Sequence, residues 1–215
     1  MKRIYIVRHG QTYINRYNKM QGWCDTPLTD KGIADANEAG EALKGVAFDI
    51  ALSSDLKRAS DTCDIIMAHN TNNDVLQHIA SPFFREQFYG YFEGMDSDAA
   101  WQMIGGPHGY RNHYDLFRKE PLDKVKDWIK EADPFHDAEN AEEYWKRLNQ
   151  GFNLIDQLDG AENILLVTHG FTIRSIAAKY GDFDISNGPR NASISIMNIT
   201  DKNKKVISYN KMKLF

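Results

Sequence analysis

The chain repeats one pattern near its two ends, and that repeat constrains what it can fold into. Ile4-Tyr5-Ile6-Val7 runs into Arg8-His9-Gly10, and Ile164-Leu165-Leu166-Val167 runs into Thr168-His169-Gly170. Each apolar run is β-rich and short, as expected of a strand buried on both faces. Each delivers a His-Gly pair at its carboxyl end. Helix-period segments follow or separate such runs, so the order of elements predicts an α/β sheet covered by helices. In sheets of this kind, ligands gather where the carboxyl ends of strands open into loops. Arg8, His9, Arg58 and His169 are far apart in sequence, yet such a rim can bring them together.

The intervening segments fill in the pattern. A helix is expected to start at Asp30-Lys31-Gly32 and to stop near Gly45. A strand follows from Phe48 to Leu52. Ser53-Ser54-Asp55 should then cap a helix on which Leu56, Ala59, Cys63, Ile66 and Met67 recur at helical spacing. A third strand is expected from Val75 to Ile79. Later helices are placed at Leu122–Lys130, Ala141–Leu158 and Phe171–Tyr180, with strands at Ser193–Ile196 and Val206–Tyr209 and a hairpin through Asp201–Lys204. All 215 residues are read as one domain. Residues 83–135 interrupt the strand-helix alternation without a low-complexity linker, so they are read as a cap or insertion. They are rich in rings (Phe83, Phe84, Phe88, Tyr89, Tyr91, Phe92, Trp101, Tyr110, Tyr114 and Phe117), which form either a small satellite core or a substrate-facing surface.

Charge and composition remove several classes of function. With 26 basic and 30 acidic side chains the formal net charge is -4, which argues against a general nucleic-acid binder. No apolar run approaches the roughly 20 residues that a membrane span needs. The apolar stretch at the N-terminus is too short for a signal peptide. Cys24 and Cys63 make neither a disulfide framework nor a metal spacing, so a reducing cytoplasm is the expected location. His108, His113 and Asp115 do not complete a ligand set, and no metal or other cofactor is expected. A homodimer is compatible with the sequence.

The chemistry rests on combining the distant residues. A phosphoryl group presents several anionic oxygens, which the planar fork of arginine matches better than lysine does. A neutral imidazole has one unprotonated nitrogen that can attack phosphorus, while its other nitrogen donates to a backbone carbonyl and fixes the tautomer. Gly10 permits the close approach and turn that this requires. Among possible proton donors, Glu86, Glu93 and Asp25 remain open on residue chemistry alone.

The motif Arg8-His9-Gly10-Gln11-Thr12, continued by Asn15, resembles the signature of the histidine phosphatase superfamily, which includes the phosphoglycerate mutases. Gly22, Asp25, Pro27-Leu28-Thr29, the segment Ser54-Asp55-Leu56-Lys57-Arg58-Ala59 with Thr62, Phe84-Arg85-Glu86, Gly90, Glu93-Gly94 and Thr168-His169-Gly170 extend the resemblance in order along the chain. It implies a three-layer αβα sandwich with a mostly parallel sheet, and a lid after Arg85-Glu86. It implies that His9 is the phosphorylated nucleophile and that Arg8, Arg58 and His169 form the phosphate pocket. Asn15 and Gln21 are implied as further phosphate contacts, and Glu86 as the acid and base.

Two enzymatic outcomes share this histidine chemistry. Tyr89-Gly90 resembles part of the mutase branch. However, the insertion carries isolated Arg111, Arg118 and Lys119 in place of that branch's basic segment with adjacent arginines. On sequence grounds this favours a metal-independent phosphomonoesterase over mutase-type transfer. A non-catalytic phosphate-binding protein would explain Arg8 and Arg58 but makes poor use of His9, Glu86 and His169 together.

Overall fold

The computed structural model describes residues 1–71, 77–200 and 203–214. Six strands form one sheet in the order β3-β2-β4-β1-β5-β6. The strands are β1 (Lys2–Arg8), β2 (Ile50–Ser54), β3 (Gln77–Ser81), β4 (Asn163–Thr168), β5 (Ile194–Thr200) and β6 (Asn203–Lys211), and a short helix, α1 (Tyr13–Arg16), follows β1. β1 with β4, β4 with β2 and β2 with β3 pair in parallel, while β5 and β6 add an antiparallel edge. The sheet is therefore mixed but mostly parallel, and the three-layer sandwich is as expected.

Side-chain parity along the strands sorts the core into two faces. Ile4, Ile6, Ile50, Leu52, Ile164 and Leu166 point to one face and pack with Tyr144, Leu148, Phe152 and Ile155 of α7 (Ala141–Asp156) and with Ile173 and Ile176 of α8 (Gly170–Tyr180). Tyr5, Val7, Ala51, Leu165 and Val167 point to the other. There they meet Ala39 and Leu43 of α2 (Asp30–Leu43) and Ala59, Cys63, Ile66 and Met67 of α3 (Lys57–Ala68). Each such large aliphatic side chain stabilises the fold by about 1.5–3 kcal/mol when fully buried.

The register explains the sequence repeat. Arg8 pairs with Thr168 in the parallel ladder between β1 and β4, so the next residues, His9 and His169, leave the sheet side by side. Their ring centroids are 5.2 Å apart, close to the ~4.8 Å spacing of adjacent strands. Behind His9 the turn is pressed against the first turn of α2. A Cβ on Gly10 would stand 2.4 Å from the carbonyl oxygen of Gly32, so only glycine fits.

Three local expectations need correction. Ser53-Ser54-Asp55 do not cap α3 by side chain. Its N-cap is Leu56, without a side-chain cap bond, and Asp55 instead holds the Arg85 guanidinium at 2.7 and 2.6 Å. The second strand starts two residues later than its apolar run, because Phe48 turns away to pack edge-on against Tyr5. The third strand begins at Gln77, and Val75 lies outside the described residues, as do Asp201 and Lys202 of the expected hairpin.

Between β3 and α7 the chain builds α4 (Ser97–Gly105), α5 (His113–Lys119) and α6 (Leu122–Ala132) around their own apolar cluster, which includes Phe92, Trp101, Phe117 and Trp128. Asp133 ties the turn after α6 by accepting from the backbone N–H groups of Phe135, Asp137 and Ala138. Among the described residues, no helix is long and apolar enough to cross a membrane.

Lys126 of α6 joins this cluster to the sheet-covering helices. It is 0% exposed, its Nζ is 3.1 Å from Asp123 Oδ1, and it lies 4.8 Å from the ring of Tyr144 and 5.1 Å from that of Phe171. Burial, opposed by Asp123, pushes its amine down to about 8. The charged form is thus disfavoured in the native state. Below about pH 8 both states are charged, and between 8 and the ordinary 10.5 the unfolded chain binds the extra proton, so stability rises with pH through that window. Lys126→Met should be at least as stable as wild type near pH 7. Its advantage in denaturant unfolding should shrink as pH rises from about 8 to 10.5.

Candidate active site

Arg58, the second residue of α3, is wholly buried beneath the carboxyl ends of β1 and β4. Its five N–H groups all have protein partners. Nε donates to His9 Nε2 (3.2 Å), and Nη2 donates to His169 Nδ1 (3.0 Å) and to the carbonyl of Gly22 (2.6 Å). Nη1 donates to the Cys24 carbonyl and to Asp25 Oδ1, each at 3.0 Å. A guanidinium cannot accept a hydrogen bond, so both ring nitrogens that face it must be unprotonated. The tautomers follow. His9 carries its proton on Nδ1, which donates to the Gly10 carbonyl at 2.8 Å, and His169 carries its proton on Nε2.

Electrostatics agree with this assignment. Burial, then the positive charges of Arg58 and Arg8, hold His9 well below its ordinary value of 6.5, against the opposing bond to Gly10. Burial and Arg58 do the same to His169. Both rings are therefore neutral near pH 7. His169 Nε2 and Arg8 Nε are buried without a protein partner. Burial lowers Arg8 to about 10, still a cation at neutral pH, and its Nη1 donates to the Pro189 carbonyl at 2.7 Å.

The surrounding shell fixes these groups. Thr62, one turn after Arg58, accepts from the Gly10 N–H at 3.0 Å and donates to the Arg58 carbonyl at 2.7 Å. Glu93 accepts from the N–H groups of Gly22, Trp23, Cys24 and Tyr89 and so shapes the loop that supplies carbonyls to Arg58. Asp25 is the ion-pair partner of Arg58. Of the three acids left open by the sequence, these two are therefore committed to holding the site.

Glu86 differs from both. Its carboxyl caps the start of α8, accepting from Phe171 N (2.7 Å), Thr172 N (2.9 Å) and the Thr172 hydroxyl (2.9 Å). Its own carbonyl is held by Arg147 Nη2 at 3.0 Å and by the Trp23 indole at 2.9 Å. Burial raises the carboxyl above its usual range, although those hydrogen bonds and Arg58 oppose the shift. A carboxyl displaced in this direction is suited to holding a proton.

Arg8, His9, Asn15, Gln21 and Glu86 line one cavity of about 320 Å³, with Tyr89, Trp101, Phe117 and Phe171 forming part of its wall. The ring cluster of the insertion is thus both a satellite core and a cavity wall. Asn15 and Gln21 reach the cavity as a pair, Asn15 Nδ2 donating to Gln21 Oε1 at 3.2 Å. Arg58 and His169 lie behind the lining residues, each 0% exposed. Asn191, not singled out in the sequence, donates to the His9 carbonyl (3.0 Å) and to Asn15 Oδ1 (3.2 Å). It sits in a turn just before β5, and the glycosylation-like pattern Asn191-Ala192-Ser193 around it carries little weight and says nothing of this role, so only the fold reveals its position. His108 stacks on Trp128 with centroids 3.7 Å apart, whereas His113 lines the cavity.

Known proteins resemble this chain over most of its length. The model of the histidine phosphatase superfamily, branch 1, matches residues 4–212. A 2,3-bisphosphoglycerate-dependent phosphoglycerate mutase of Allorhizobium ampelinum is 32% identical over 177 residues, covering 80% of this chain and 76% of that protein. Fructose-2,6-bisphosphatase TIGAR B of Danio rerio is 33% identical over 181 residues, covering 79% and 70%. The crystal structure of phosphoglycerate mutase from Bacillus anthracis matches with a TM-score of 0.90 at 30% identity, covering 98% of this chain and 93% of that one. The chain belongs to the histidine phosphatase superfamily, and it is an enzyme of that superfamily with a phosphoglycerate mutase-like fold.

The depressed imidazoles generate a stability prediction. Below 6.5 the unfolded chain takes up protons that native His9 and His169 refuse, so stability is complete above 6.5 and is lost as pH falls. Denaturant unfolding between about pH 7.5 and 5 should show this loss in wild type. The fall should be shallower in a His9→Asn/His169→Asn double variant.

Proposed function

We propose that the chain transfers the phosphoryl group of a small phosphorylated metabolite through a phosphohistidine formed on His9 Nε2, returning it to a hydroxyl by mutase-type transfer. The observation that carries this reading is the tautomer that Arg58 imposes: a neutral imidazole whose unprotonated Nε2 faces the buried guanidinium. His9 Nε2 attacks phosphorus as the bond to the leaving oxygen breaks, and Glu86 gives that oxygen its proton. Arg8 and the His169 Nε2–H take phosphoryl oxygens, and the Arg58 Nε–H passes from the ring lone pair to the transferred group. In the return step Glu86 takes the proton of the acceptor hydroxyl as that oxygen attacks phosphohistidine.

Transfer is placed ahead of hydrolysis because of the mutases from Allorhizobium ampelinum and Bacillus anthracis among its relatives, which weigh against the preference drawn from the sequence. Hydrolysis stays as the second reading for one specific reason. Arg111, Arg118 and Lys119 of the insertion are all exposed and none lines the cavity, so among the described residues the insertion brings no arginine or lysine there to retain an intermediate. The bisphosphatase relative points the same way.

Rapid-quench peptide mapping with a labelled phosphoryl donor should find transient label on His9. His9→Ala should fold and show none. Glu86→Gln should slow transfer from poor leaving groups by about 10²–10⁴-fold. Because the Glu86 carboxyl is raised, wild-type rate should fall as pH rises through its value in the folded enzyme, and this alkaline limb should be absent in Glu86→Gln. Label recovered on another hydroxyl of the metabolite supports transfer, and label released as inorganic phosphate supports hydrolysis. A competent phosphoenzyme on another residue would overturn the assignment of His9.

A further inference from the structure

Lys126 of α6 is a buried cation that the packing does not require and that the phosphoryl chemistry leaves unused. Its side chain is 0% exposed, and Nζ donates to Asp123 Oδ1 at 3.1 Å, an oxygen that the Trp145 indole also uses at 2.7 Å. Rings surround the rest of the ammonium, those of Tyr144, Phe171 and Trp145 lying at 4.8, 5.1 and 5.5 Å. The Asp123 side chain is itself 55% exposed. An ammonium boxed in by rings and tied to such a partner is costly to keep, and a hydrophobic side chain would fill the space more cheaply. What the position offers is its neighbour. Phe171 carries Lys126 against its ring, while its backbone N–H donates to Glu86 Oε2 at 2.7 Å. The ammonium and the carboxyl thus lie on two sides of one residue, on the order of 10 Å apart, with buried protein between them. Lys126 does not line the cavity, so any effect on the reaction must pass through a group that does.

We propose that Lys126 is a positioning residue whose buried positive charge sets how readily Glu86 gives up its proton, and so ties the acid to the packing of the insertion. The proposal rests on the reading of Glu86 as acid and base and adds what adjusts it. A group that gives a proton in one step and takes one in the next works best with an intermediate hold on it. Burial drives the Glu86 carboxyl up, and a cation nearby limits that rise. The attraction is mutual. The charge of Glu86 supports the protonated amine of Lys126 against burial, so the ammonium in turn favours the ionised carboxylate. Other groups face both partners. Arg8 of β1, Arg58 of α3 and Arg174 of α8 share the field of Glu86, as do the hydroxyls of Tyr89 and Tyr144. Asp123 and Asp127 of α6 face Lys126, and Lys179 of α8 lies 3.9 Å from the Trp145 ring. Arg8 and Arg58 also belong to the phosphoryl pocket, so changing them changes binding. Lys126 comes from the insertion and from outside the cavity, and it can adjust the acid without touching the phosphoryl group.

Carbon NMR of enzyme labelled at its glutamate side-chain carboxyls follows Glu86 without turnover, with Glu86→Gln used to assign the resonance. The wild-type amine of Lys126 is charged below about pH 8, the range in which the titration is read. Lys126→Met keeps the bulk and removes the charge, whereas Lys126→Arg keeps a charge in an altered shape. In Lys126→Met the Glu86 carboxyl should titrate at higher pH than in wild type, by roughly half a pH unit or more. In Lys126→Arg it should stay near the wild-type position. A packing role gives the opposite order, with Met preserving the titration and Arg disturbing it. Should Lys126→Met fail to fold, Lys126→Gln removes the charge while keeping a donor for Asp123, and the same upward shift is expected. An unmoved titration in the neutral variants, or a downward shift, would overturn the proposal. With Glu86 as the acid, the alkaline limb of the rate should move up together with the carboxyl in Lys126→Met. A titration that moves while the limb stays would count against Glu86 as the acid and leave the hold of Lys126 on the carboxyl established.

Discussion

The site is organised by the buried Arg58 guanidinium. One planar group donates to two imidazoles from two strands and to the loop at residues 22–25. Among the described residues its one carboxylate partner is Asp25, at 3.0 Å. A cation buried with one ion pair needs its remaining donors satisfied, and neutral ring nitrogens and backbone carbonyls do this. Satisfying Arg58 is thus what prepares His9: the same hydrogen bonds that offset burial of the charge fix the tautomer and disfavour protonation of both rings.

That clamp works because the layers beneath it agree. The parallel register of β1 and β4 brings the two histidines side by side, and β2 feeds α3, which carries Arg58 up to them. Close contact of Gly10 with Gly32 lets the turn lie flat against α2. On the other face, α8 starts directly after His169, and its first free N–H groups are taken by Glu86. Glu86 therefore joins a structural duty to its proposed proton transfer. Burial raises its carboxyl, while the helix cap limits how far it rises.

Much of this was legible in the sequence because strand burial and the His-Gly repeat are local signals. Arg8, His9 and His169 converge as their strand-end positions suggest, and Arg58 joins them from the first turn of α3. What the sequence hid depends on tertiary contacts. Asp55 looks like a helix cap, but Arg85 reaches it from 30 residues away. Glu93 and Asp25 look like acids until their hydrogen bonds show them holding the Arg58 loop. Asn191 stands in no pattern that points to the site, and its importance comes only from the His9 carbonyl and the Asn15 side chain that it meets. The preference for hydrolysis drawn from the insertion's scattered basic residues is outweighed by the mutases among the relatives.

His9 is held as a neutral ring with its proton on Nδ1 and its lone pair on Nε2. Nitrogen NMR of enzyme labelled in its imidazoles tests this directly, with His9→Asn used to assign the resonances. Near pH 6, where an unperturbed histidine is largely protonated, His9 should still show a protonated, pyrrole-type Nδ1 and an unprotonated, pyridine-type Nε2. An imidazolium at that pH, or a proton on Nε2 in place of Nδ1, would contradict the account.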